Sequence, residues 1–200
     1  MFKTLVPCIL LITAALLVPT TRSMGEDTAG TWESVNRNGQ RRLTYSSSAT
    51  LLGQATPFTV LFQCDPLSTK DVHGTLGFDI TLRNVSKLKS FPFADFEGPD
   101  ATVAPAVEAA VTGKGKSIRT FRTQAGGWYS DESSYCFGVS ELSETSRSIP
   151  KSILQALGEG GAESLRLTIS DPRNAKLKLE ILIPVAGKQK DFKALLAGLK

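Results

Sequence analysis

The sequence predicts a mainly β fold, an antiparallel β-sandwich or open barrel of about seven to eight strands with two short helices, one at the C-terminus. Three observations predict it. Short segments alternate apolar and polar residues with period two, as Leu76, Phe78, Ile80 and Leu82 do against Asp79, Thr81 and Arg83. Turn-forming pairs and clusters punctuate these segments, notably Asn38-Gly39 and Asp171-Pro172-Arg173-Asn174. Only two stretches carry apolar residues at helical spacing.

In chain order, residues 31–37 and 40–49 flank Asn38-Gly39, the strongest short hairpin signal, because both central residues need positive φ. Phe58, Val60, Phe62 and Cys64 then share one face of a half-buried strand, which Asp65-Pro66 ends. Residues 75–83 form the clearest strand. Residues 86–116 are broken by Pro92, Pro99 and Pro105, with a short helix or extended run over 103–111 and a turn at Gly113-Lys114-Gly115. Residues 118–123 and 135–140 read as strands around the loop Ala125-Gly126-Gly127-Trp128-Tyr129. Ser148 and Pro150 start a helix that Gly158 stops. Leu165, Leu167 and Ile169 pair as a hairpin with Leu177, Leu179, Ile181 and Ile183. A last helix over 190–199 packs through Phe192, Leu195, Leu196 and Leu199.

Residues 1–23 have the layout of a secretory signal peptide. Lys3 precedes an uncharged apolar run from Leu5 to Val18, and small residues surround Ser23. The run is shorter than the ~20 residues a spanning helix needs. Pro7 before Cys8 does not make a lipid-attachment context. Residues 24–200 then form a single β-rich domain, secreted or periplasmic, with no membrane span after cleavage. Loss of Lys3 and Arg22 lowers the net charge from +4 to +2. That balance is no footprint for nucleic acid, and Lys114, Lys116, Arg119 and Arg122 read as a solvated strand face.

Cleavage leaves Cys64 and Cys136, an even pair expected to form one disulfide in an exported chain. Such a bridge would stabilise the fold by about 4 kcal/mol in the loop-entropy description. One tension stands against it: Cys136 alternates out of the face that carries Tyr135, Phe137 and Val139. A bulge or a strand buried on both sides would resolve it. No C-x-x-C motif is present, and no cofactor is expected.

Catalytic signals are sparse. His73 is the single histidine, in a loop before a strand, and no G-x-S-x-G elbow accompanies it. Gly113-Lys114-Gly115-Lys116 lacks phosphate-loop spacing. Asp95, Glu97 and Asp100 cluster around a turn. They are a weak calcium candidate, and with Asp131 and Glu132 a candidate carboxylate set for hydrolysis, against the plain reading of a structured turn. Asn84-Val85-Ser86 fits the N-glycosylation pattern. The best binding candidate is Trp128 and Tyr129 beside glycines, with Asp131 and Glu132 to hydrogen-bond a ligand. The competing reading makes Trp128 a core plug near the disulfide, and Trp32 a core residue.

These residues point to an exported, non-catalytic binding or accessory protein of the cell envelope that recognises a glycan or protein through the aromatic loop. The alternatives are a structural component of an envelope assembly and a carboxylate-dependent hydrolase. An early Trp32, a strand ending in Cys64 and a final helix with Asp191-Phe192 and Gly198-Leu199 give an arrangement that resembles small periplasmic accessory proteins of bacterial secretion machines. The likeness is one of layout and carries no site residue. The exported form is expected to begin near Met24 without a lipid. Intact mass of that form checks this, and a mass retaining residues 1–23 or an acyl group would refute it.

Overall fold

The computed structural model describes residues 30–37, 40–65, 75–98, 101–113, 116–142 and 148–197. Among them, ten strands form two antiparallel sheets. The first sheet holds β1 (Thr31–Arg37), β2 (Gln40–Leu51), β3 (Gln54–Asp65), β4 (Thr75–Arg83), β8 (Ser134–Leu142) and β7 (Gly126–Asp131), in that order. The second holds β10 (Asn174–Pro184), β9 (Ser164–Asp171), β5 (Ala106–Gly113) and β6 (Lys116–Gln124). Neither closes into a barrel. Helices α1 (Ile149–Gly158) and α2 (Gln189–Ala197) complete the fold.

The strand count exceeds the sequence expectation at identifiable places. Residues 106–113 are strand rather than helix, because Val107, Ala109 and Val111 alternate into the core. The glycines at 126–127 do not make a loop; they begin β7, whose partner is β8. Between β2 and β3, Leu52 and Gly53 both take positive φ, 48° and 79°, as a two-residue hairpin turn requires. Asn38-Gly39 lies outside the described residues, but Arg37 pairs with Gln40 on either side of it. Ser148 caps α1 by accepting from the Lys151 amide at 3.3 Å, as the sequence predicts.

Each sheet buries one face in a common core. Leu76, Phe78, Ile80 and Leu82 of the six-stranded sheet join Leu165, Leu167, Ile169, Leu179, Ile181 and Ile183 of the four-stranded one. Ile153, Leu154 and Leu157 of α1 and Phe192 and Leu195 of α2 complete that core. Trp32 joins several elements at its margin. Its ring lies 5.0 Å from Tyr45 and 5.9 Å from Phe192, and its indole N–H donates to the Pro184 carbonyl at 3.1 Å. The connection from β4 to β5 inserts Phe91 and Phe93 against Phe137 and Tyr135, with Phe96 packed on Phe91. Arg173 in the β9–β10 turn holds this connection. It pairs with Asp95 at 2.7 Å and Asp171 at 3.0 Å, and stands over the Phe96 ring.

The expected Cys64–Cys136 disulfide is absent; neither cysteine is bridged and both are buried. Register explains why. Cys64 stands opposite Leu76 of β4, whereas Cys136 stands opposite Thr81 of the same strand. Five residues of strand separate those rows by about 17 Å, against a Cα limit of about 7 Å for a bridge. The two side chains also leave opposite faces, Cys64 into the core and Cys136 away from it. The alternation tension at Cys136 is therefore resolved by Cys136 facing outward, without a bulge at that position.

Phe192 is fully buried and meets Phe62 edge-on at 5.3 Å, so α2 belongs to the core. Phe192→Ala is expected to destabilise by about 3–5 kcal/mol, as other buried aromatic truncations do. Urea unfolding measures it; a midpoint equal to wild type would contradict the packing role of α2.

Candidate functional site

Period-two alternation along β7 separates the residues that the sequence groups together. Trp128 lies on the outer face of the six-stranded sheet, 42% exposed and outside the core cluster. Tyr129 turns to the opposite face and meets Tyr135 edge-on at 4.9 Å. The pair therefore does not form one aromatic surface. Asp131 accepts from the Ser133 amide at 2.7 Å and its hydroxyl at 3.0 Å, closing the β7–β8 turn. Those bonds, the Ser133 amide first, hold its carboxyl below the usual range. Glu132 is exposed at the same turn. Trp128 is thus neither a core plug nor part of a flexible loop.

The carboxylates disperse likewise. Asp95 is bound by Arg173, and Asp100 lies outside the described residues. Glu97 bridges to Gly127 across the edge of β7. Gly127 and Asp131 are four strand positions apart, about 13 Å. Glycosidase carboxylate pairs span about 5–9.5 Å. Among the described residues no cluster of acids, histidines and cysteines is arranged to hold a metal ion. His73 lies outside the described residues. Asn84 is exposed with φ 58° directly after β4.

What the fold does assemble is a second set of residues around Trp128. Its register partner on β8 is Cys136, and the row continues through Thr81, Thr59, Ser46 and Thr31 on β4, β3, β2 and β1. The indole leans over Gly138. A Cβ there would stand 2.8 Å from Trp128 Cη2 and 3.1 Å from Asp79 Oδ1, so only glycine leaves room for the ring. Asp79 pairs with Gly138 across β4 and β8, and its Oδ2 accepts from Gln63 Nε2 at 3.2 Å. Partial burial pushes the Asp79 carboxyl above its ordinary range. Burial also pushes the Cys136 thiol up to about 11, Thr81 donating to its sulfur at 3.8 Å and partly opposing the shift. Cys136 is therefore a protonated, packed thiol rather than a nucleophile.

The other outer surface differs. On the four-stranded sheet Arg122 pairs with Glu108 and Lys178 with Glu180, each at 2.9 Å. Asp79 has no such cation among the described residues. Sequence reading passed over Asp79, Gln63 and Gly138. The available signal was an acid at the centre of the polar face of residues 75–83, but pairing with β8 was needed to bring it to Trp128.

Compared with known proteins, the chain matches no family model, no curated protein and no solved structure. Among the described residues no helix is long and apolar enough to cross a membrane.

A carboxyl whose pKa is raised on folding favours the fold most below its unfolded value, and that contribution is lost as pH rises through the folded value. Asp79→Asn is therefore expected to raise stability at about pH 7 and to lose that gain below about pH 4. Urea midpoints of both proteins at the two pH values decide it. An equal shift at both would show that ionisation of Asp79 is not the cause.

Proposed function

We propose that this chain is an exported, non-catalytic binding protein of the cell envelope, acting in the secreted or periplasmic space, and that it recognises a glycan on the outer face of the six-stranded sheet. One observation carries the reading: Trp128 presents an open indole face on a flat bed, beside polar groups that the fold leaves uncommitted to ion pairs. An extended face lined by Thr81, Thr59 and Ser46 hydroxyls supports a ligand made of flat, hydroxylated rings more than a compact protein knob. Export rests on the composition of residues 1–23.

Docking as a structural component draws less support. The exposed large apolar residues Val35, Leu52, Trp128, Tyr129 and Leu182 are spread over β1, the β2–β3 turn, β7 and β10. Spread in this way over four elements, they give little support to the large contiguous patch that marks a permanent interface. Hydrolysis draws less still, because Asp95 and Asp131 are engaged in local contacts.

Binding to insoluble envelope polysaccharide, measured by co-sedimentation, tests the proposal. Trp128→Ala is expected to weaken it by about 1–3 kcal/mol, roughly five- to 150-fold, as for an interface hot spot. Gly138→Ala should weaken it too, by displacing the indole. Unchanged binding in folded Trp128→Ala protein would reject this face.

A further inference from the structure

The chemistry around Trp128 specifies the ligand more closely, on the premise that this face binds a glycan. Asp79 is partly desolvated, and among the described residues it accepts one hydrogen bond, from Gln63 to a single oxygen, and pairs with no cation. Its other oxygen, Oδ1, faces the position above Gly138 where the Trp128 ring also lies. On the opposite sheet Glu108, Glu180 and Asp171 are each paired with a cation. A partly buried carboxylate without a counter-ion is unfavourable, and an exposed indole face attracts cations. Both needs are met by one positive group placed beside the ring.

We propose that the outer face of the six-stranded sheet recognises a glycan containing an unacetylated amino sugar, with its ring stacked on Trp128 and its ammonium group paired with Asp79. Gln63 orients the carboxylate. Gly138 gives the indole its place against the sheet, and the space above Gly126, its partner on β7, is open. The hydroxyls of Thr81, which donates to Cys136, and of Thr59, bonded to Ser46, continue the row away from Trp128 and accept from ring hydroxyls of neighbouring units. A lysine or arginine side chain supplies the charge and meets the indole through a cation–π contact, but leaves the hydroxyl row unused.

Calorimetric titration of the chain with oligoglucosamine, its fully N-acetylated counterpart, a neutral gluco-oligomer and tetralysine tests the assignment. Oligoglucosamine is expected to bind about tenfold tighter than the N-acetylated and neutral oligomers. Asp79→Asn should erase that preference while leaving the weaker neutral binding. Trp128→Ala should remove both. Circular dichroism confirms that each variant is folded.

Equal affinities for the charged and uncharged oligomers, or a preference that survives Asp79→Asn, would overturn the amino-sugar assignment and leave Trp128-dependent glycan binding standing. Tetralysine binding as tightly as oligoglucosamine in a Trp128-dependent manner would overturn it in favour of a basic peptide. No Trp128-dependent binding of any oligomer would reject both this inference and the glycan reading it rests on.

Discussion

Each sheet of this fold has one face to hide, and the two hidden faces are satisfied by each other. That constraint decides the direction of nearly every side chain in the strands, because neighbours along a strand point to opposite sides. It sends Cys64 inward beside Phe62 and Val60, and Cys136 outward beneath Trp128. It also divides Trp128 from Tyr129. A chain whose core is built from alternating aliphatic and aromatic residues does not need the covalent tie that its cysteine count invites.

Two sheets alone would leave the ends of the core open. Helices α1 and α2 and the long connection after β4 close them. Trp32 is the joint on one side, touching Tyr45, Phe62 and Phe192 and reaching the end of β10 by its hydrogen bond. Arg173 is the joint on the other, where Asp95, Asp171 and Phe96 converge from a turn and a connecting segment. The Asp171 carboxyl is held below its usual range by the Arg173 hydrogen bond first, so the Asp171–Arg173 pair contributes fully above the ordinary carboxylate range and is lost as pH falls below it.

Much of the architecture was legible because alternation is a local property. The strand at 75–83, the hairpin through Asp171–Asn174, the cap at Ser148 and the packing side of α2 are each written in a short window. What escaped was non-local. Gly126 and Gly127 read as a loop since glycine is poor in strands, yet β8 recruits them, and Gly127 also meets Glu97. Leu52 at positive φ has no sequence signature, because leucine rarely takes that conformation. Trp128 was recognisable as a candidate contact, but its companions were not. Asp79, Gln63 and Gly138 come from three strands, and only pairing places them around one ring.

The sheet order also bears on how the chain reaches this structure. Most neighbouring strands are consecutive in sequence and joined by tight or short connections, as β1–β2, β2–β3, β5–β6, β7–β8 and β9–β10 are. Two pairings are not. Thr75 of β4 meets Leu142 of β8, and Ala106 of β5 meets Ser170 of β9. Loop-closure entropy falls on these two zippers, and they interleave, since β5 to β7 lie between β4 and β8 in the chain. The hairpins can form early and independently, whereas neither sheet reaches its full width until a distant partner arrives. The kinetic bottleneck therefore sits at the β4–β8 and β5–β9 seams, and the phenylalanine-rich connection that leaves β4 and enters β5 is tethered to both.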